Sequence, residues 1–179
     1  METITLAGGC FWCTEAIFKR LNGVESVASG YANSNKENPS YEEVCSGSTQ
    51  AAEALRIDFD PEILPLEKIL EVFFATHDPT TLNCQGDDQG TQYRSGIYYS
   101  DDAQKEAVEK FRDNLEKEGH FKDPIVTEIM PLDNFYTAEY YHRDYFDANP
   151  AKPYCSLIIA PKIRKLLEEF GKDVKDQYK

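Results

Sequence analysis

The order in which strand-like and helix-like hydrophobic periods alternate restricts this chain more than any other feature. Residues 3–6 alternate as a strand does and Gly8 and Gly9 interrupt them; residues 10–21 then have helical length, with Ala16, Ile17 and Leu21 at apolar spacing. Asn22 and Gly23 end that helix. Residues 24–31 read as a strand, 33–40 as a loop rich in Asn and Ser, and 54–59 as a strand with Leu55, Ile57 and Phe59 on one face, stopped by Asp60 and Pro61. A second helix fits residues 66–76, where Leu66, Ile69, Leu70 and Phe73 form a stripe behind Pro65. A polar loop over 77–92 leads to a strand at 94–99. The order βαββαβ predicts an α+β, two-layer sandwich: a ferredoxin-like plait over residues 3–99 with helices on one sheet face. Residues 100–179 then form a helical and irregular extension. It should hold a helix at 101–117, a strand at 125–130, short helices at 138–146 and 162–170, and an irregular strand at 154–159 carrying Cys155.

With 179 residues and 41% hydrophobic content the chain suits a single domain, 1–179, with its own core. A net charge of −13 argues against nucleic acid or anionic lipid as a partner, since both select clusters of Lys and Arg. No apolar run approaches a membrane span, and METITLAGG lacks the basic start and apolar stretch of a signal peptide, so a monomer in the cytoplasm is expected. Five cysteines, an odd number and widely spaced apart from Cys10 and Cys13, suit reduced thiols better than a secreted disulfide framework.

The strand, Gly-Gly turn and helix around Cys10 place a thiol where unpaired N–H groups and the helix dipole favour negative charge. Thiolate is the form that attacks sulfur electrophiles. Phe11 and Trp12 beside it can wall an apolar pocket. Cys10 and Cys13 form a C-x-x-C pair whose i, i+3 spacing brings the sulfurs within reach of a disulfide. A structural zinc site would need two more ligands, and Cys45, Cys84, Cys155, His77, His120 and His142 show no second paired spacing. A dithiol exchange site of the thioredoxin kind stays open, although the element order is not that of a thioredoxin. Sulfoxide or peroxide chemistry is the third reading.

Four segments, GGCFWCTEAIF, NPSYEEVCSGSTQAAEALRIDFDP, FFATHDPTTLNCQGDDQGTQYRSGIYY and FYTAEYYHRDYF, together resemble the A-class methionine sulfoxide reductases over nearly the whole chain. The resemblance implies reduction of the S epimer of methionine sulfoxide, free or in peptides and proteins. It makes Cys10 the nucleophile and Phe11 and Trp12 the cage for the substrate S-methyl group. Tyr41, Glu53, Asp88 and Tyr93 match the positions that surround the sulfoxide oxygen. A sulfoxide oxygen leaves poorly until it is protonated, and Glu53, its pKa raised by burial, would be the proton donor. Tyr41 and Tyr93 would donate phenolic hydrogen bonds as charge develops.

The implied cycle runs from attack by Cys10 through a Cys10 sulfenic acid to a disulfide, which an external thioredoxin-like dithiol reduces without any cofactor or metal. The resemblance points to Cys155 in PYCSLII as the resolving thiol. Cys13 stands where most relatives have Gly and offers an alternative; Cys45 and Cys84 are weaker candidates. Two other departures are GYANSN, where the family often has a Gly-Gly pair, and Ala51, where a His is usual. Ala51 leaves the hydrogen bonding around Glu53 open. The charged tail after Phe170 carries no further cysteine.

Overall fold

The computed structural model describes residues 1–179 as a mixed α+β fold. Its first half comprises β1 (Glu2–Gly8), α1 (Phe11–Phe18), β2 (Val24–Ala32), α2 (Tyr41–Cys45), β3 (Ala52–Phe59) and α3 (Leu66–Thr76). The second half adds β4 (Cys84–Gln85), β5 (Asp88–Gln89), β6 (Ser95–Tyr99), α4 (Asp102–Lys117), β7 (Glu128–Pro131), β8 (Phe135–Thr137), α5 (Tyr145–Ala148) and α6 (Ala160–Phe170). One six-stranded sheet has the order β7-β6-β1-β3-β2-β8, while β4 and β5 form a separate hairpin. The four central strands pair antiparallel throughout, with Leu6 opposite Leu55 and Ile97, and Tyr31 opposite Glu53. β7 adds at one edge parallel to β6.

Strand alternation decides the core. Ile4, Leu6, Leu55, Ile57, Phe59 and Ile97 project to one sheet face and meet Ile17, Phe18, Ile69, Phe73 and Leu166 from the helices, all fully or almost fully buried. On the opposite face Ala7, Ala32, Ala52 and Ala54 leave room for Tyr98, with Leu132 and Phe135 packed at the margin. Small side chains there let the connection between β7 and β8 lie close against the sheet. Gly30 serves the same approach: a Cβ at this position would come within 2.4 Å of Phe135 Cζ and 2.5 Å of the Tyr136 carbonyl oxygen. Gly30→Ala is therefore expected to destabilise the fold by about 1–3 kcal/mol through overpacking, read as a lower urea midpoint with an unchanged slope.

The C-terminal part differs from expectation in three places. No helix spans residues 138–146. Residues 135–137 instead pair with β2 as the edge strand β8, a 3-10 turn follows at Tyr140–His142, and Asp144 at φ +52° separates it from the short α5. Tertiary contacts override local pattern here, because the Glu139 carboxylate accepts hydrogen bonds from the Tyr31 hydroxyl and the Tyr41 N–H. Residues 154–159 are not a strand: Cys155–Ile159 is a π-helix that runs straight into α6. Cys155 and Ile159 turn inward while Leu157, midway between them, is 71% exposed, which a period of two would not allow. The strand expected from residue 125 begins only at Glu128, where pairing with Gly96 starts. The tail after α6 is docked, with Val174 bridging to Leu21 and Lys175 Nζ donating to the carbonyls of Lys19 and Val24.

Candidate active site

β1 delivers the chain to the site and ends at Gly8. Gly9 turns it at φ +92°, a left-handed conformation, and a side chain there would meet Gln85 Cβ and Cγ at under 3 Å. Cys10 is the N-cap of α1, with extended rather than helical backbone and no capping hydrogen bond from its side chain. The first free N–H of the helix, that of Phe11, donates to Glu53 Oε2 at 3.1 Å. The helix start thus binds the carboxylate of Glu53 on β3.

Glu53 is 1% exposed, and its second oxygen, Oε1, is buried with no hydrogen-bond partner. Burial pushes its carboxyl up to about 8, against the opposing effect of the Phe11 N–H, with the charges of Asp88 and Cys13 adding to the rise. Near neutrality Glu53 is an acid that still holds its proton. Ala51 packs with Phe11, Tyr31 and Val44 in an apolar cluster, so hydrocarbon fills the space two residues before Glu53. The phenols of Tyr41 and Tyr93 are raised well above the ordinary tyrosine range, by burial and next by the charge of Glu53, and both stay protonated donors. Tyr41 is set by α2, whose capping box pairs Ser40 and Glu43 reciprocally, an S-x-x-E signature visible in the sequence.

Cys10 and Cys13 lie in one buried cluster with Ala16, Cys155 and Ile159. Burial pushes the Cys10 thiol well up; the Cys13 contact and the Glu53 charge add to that, and the Trp12 N–H works against it. The hydrogen bond from Cys10 lowers Cys13 to about 7, and Lys162 and Tyr154 help against its burial. Burial thus opposes at Cys10 the thiolate that the helix start favours. Tyr154 Oη lies 3.8 Å from Cys13 Sγ and donates to Asp88 Oδ2 at 2.7 Å, so Asp88 sits on the Cys13 side of the site. Cys155 is fully buried and belongs to the same cluster as Cys10, Cys13, Ala16 and Ile159; burial raises its thiol. All five cysteines are reduced; Cys45 is exposed and Cys84 lies on the β4–β5 hairpin. No three His, Cys, Asp or Glu side chains converge in a way that could hold a metal ion.

Trp12 joins the two halves of the site. Its indole stacks on Tyr145 at 3.7 Å and 7°, meets Tyr154 edge-on, and donates from Nε1 to His142 Nδ1 at 3.0 Å. His142 is the residue that the sequence reading missed. It is 1% exposed and lies against Phe11, Tyr41 and Tyr141 at ring separations of 4.9, 4.6 and 4.1 Å. Burial lowers its pKa, and acceptance at Nδ1 puts the remaining ring proton on Nε2, which has no partner. The signal was its place in the aromatic run FYTAEYYHRDYF, although nothing there names its partner. His142→Ala should leave the Trp12 N–H unpaired and lower kcat/KM about 5- to 100-fold, the equivalent of a lost buried hydrogen bond. Steady-state kinetics should place most of that loss in KM, and His142→Asn, which keeps an acceptor, should restore part of it.

The comparisons with known proteins agree with this geometry. The family described as peptide methionine sulfoxide reductase matches residues 2–175. The peptide methionine sulfoxide reductase MsrA of Natronomonas pharaonis is 51% identical over 172 residues, covering 96% of this chain and 97% of its own. Among solved structures, reduced Mxr1 from Saccharomyces cerevisiae superposes with a TM-score of 0.80 at 40% identity, covering 86% of this chain and 88% of Mxr1. Mxr1 in complex with Trx2 matches with a TM-score of 0.57 at 29% identity, over 80% of this chain and 84% of that one. The chain belongs to the peptide methionine sulfoxide reductase family and is an oxidoreductase acting on oxidised methionine.

Proposed function

We propose that this enzyme reduces the S epimer of methionine sulfoxide, free or in peptides and proteins, by attack of Cys10 on the sulfoxide sulfur. The observation that carries this reading is a buried carboxyl, Glu53, held protonated up to about pH 8 beside a cysteine at a helix start. Cys10 attacks as its thiolate, the form that adds to an electrophilic sulfur. Glu53 protonates the sulfoxide oxygen, and Tyr41 and Tyr93 donate to it. Oxygen moves to Cys10, methionine leaves, and a Cys10 sulfenic acid remains for an intramolecular thiol to resolve. The family resemblance offers Cys155 for that step, and Cys13 is the other candidate. Phe11 and Trp12 hold the S-methyl group, and Asp88 supports the site through Tyr154. The thiols supply both electrons, so no cofactor takes part.

An external thioredoxin-like dithiol returns the disulfide to thiols. The yeast relative crystallised with Trx2 supports that partner. We read residues 1–179 as a single catalytic domain, because Leu166 and Val174 share one core with Ile4 and Leu6. The antiparallel order β6-β1-β3-β2 supports a split βαβ plait at its centre. Oxidative damage repair by a cytoplasmic monomer is the setting that fits. A net charge of −13 speaks against nucleic acid as a partner, and no helix is long and apolar enough to cross a membrane. Incubation of the reduced enzyme with separated epimers of methionine sulfoxide tests the assignment. Methionine is expected from the S epimer and essentially none from the R epimer, and equal yields from both would overturn it.

A further inference from the structure

The five cysteines raise a question of order, because three of them meet at one place. Cys10 and Cys13 both line a cavity of about 490 Å³ that Gln85, Asp88, Tyr154, Ile158 and Lys162 complete. Cys155 does not line it; its side chain is fully buried on the inward face of a π-helix whose Leu157 and Ile158 border the cavity. Cys13 follows Cys10 by one turn of α1, its N–H donating to the Cys10 carbonyl at 3.0 Å. Burial raises the Cys155 thiol, which disfavours the attacking thiolate there.

From this geometry we infer that Cys13, not Cys155, resolves the Cys10 sulfenic acid, and that the resulting Cys10–Cys13 disulfide is reduced from the cavity with the Cys155 π-helix left in place. The inference rests on the sulfoxide reductase reading above. In the step itself the Cys13 sulfur attacks the Cys10 sulfur; the S–S bond forms, the Cys10 S–O bond breaks, and the oxygen leaves as water with the Cys13 thiol proton. The pair is then oxidised by two electrons relative to its dithiol. The external dithiol returns those electrons by exchange, attacking one sulfur of the disulfide and leaving as its own disulfide. Both sulfurs face the cavity, so no chain segment has to unfold for this exchange. Resolution by Cys155 would instead draw on a sulfur that does not line the cavity.

The test is single turnover of wild type, Cys13→Ser and Cys155→Ser with S-methionine sulfoxide and no reductant. It is followed by dimedone trapping of sulfenic acid, peptide mapping of disulfides, and hydrogen exchange across residues 150–160 before and after reaction. Cys155→Ser is expected to yield one methionine and a Cys10–Cys13 disulfide at the wild-type rate. Cys13→Ser should still yield one methionine but accumulate the dimedone adduct at Cys10, with disulfide formation slowed at least tenfold. Exchange in 150–160 should be the same in reduced and oxidised wild type. A Cys10–Cys155 disulfide as the first product of wild type, or sulfenic acid accumulating in Cys155→Ser and not in Cys13→Ser, would overturn the inference while leaving the reductase reading intact. Absence of methionine from all three proteins would instead remove the reading on which it rests.

Discussion

Cys10→Ser is expected to form no methionine from S-methionine sulfoxide, in single turnover or with an excess of dithiol, while keeping the wild-type fold. The change replaces the attacking sulfur with a hydroxyl that neither ionises near neutrality nor accepts oxygen from a sulfoxide, and no other thiol is placed to substitute. Cys13 is 2% exposed and lies one turn further along α1, Cys155 is fully buried, and Cys45 and Cys84 sit on other elements. Because Cys10 makes no capping hydrogen bond and its turn is set by Gly9, serine introduces no new strain at the helix start. Methionine release and far-UV circular dichroism, measured on the same sample, check the two halves of the prediction. Turnover by the folded variant at more than a trace of the wild-type rate would remove Cys10 from its role.

Glu53→Gln has the second largest expected effect, a loss of roughly tenfold to ten-thousandfold in the methionine-forming step, the range for removing a general acid. Its pH dependence is the sharper signature. Glu53 is raised to about 8 chiefly by burial, so the proton-donating form is present below that pH and disappears as pH rises through it. Wild-type rates should fall above about pH 8, and in Glu53→Gln that falling limb should vanish. Stability follows the same sign. A carboxyl whose folded pKa lies above its unfolded value favours the folded state less as pH rises from its ordinary value to about 8, and the cost is complete beyond that. Over that interval the cost is on the order of 4–5 kcal/mol, at about 1.4 kcal/mol per pKa unit. Glu53→Gln should therefore narrow the loss of stability that wild type shows between pH 5 and 9, followed by urea unfolding across that range.

Much of the site was legible because its chemistry is local. Gly8, Gly9 and Cys10 announce a strand, a turn and a helix start within a few residues, and the helix at 66–76 falls where its apolar stripe puts it. What could not be read depends on contacts between distant parts of the chain. Residues 138–146 have the composition of a helix, yet Glu139 is recruited by Tyr31 and Tyr41, and no local pattern encodes that. Cys155 sits in an apolar run that suits a strand or a helix equally until burial of Cys155 and Ile159 with Leu157 exposed between them selects the helical geometry. A helix start favours a thiolate at Cys10, and the depth of burial and the nearby Glu53, neither written in the motif, work against it. His142 escaped notice because its function lies in a bond to Trp12, a residue from the other end of the chain.

The docked tail has a consequence for the order in which the enzyme comes into being. The helix that bears the nucleophile is made early in synthesis. Its surroundings are assembled from Glu53, Asp88, Tyr154 and Lys162, and its far end is closed by Val174 and Lys175. Contacts this remote in sequence close large loops, so they form late and slowly in folding. A nascent chain on the ribosome therefore carries Cys10 as an ordinary cysteine, without its acid, its partner's cation or its closing strand. The surroundings of Cys10 are therefore complete only when the C-terminal segment has docked beside α1.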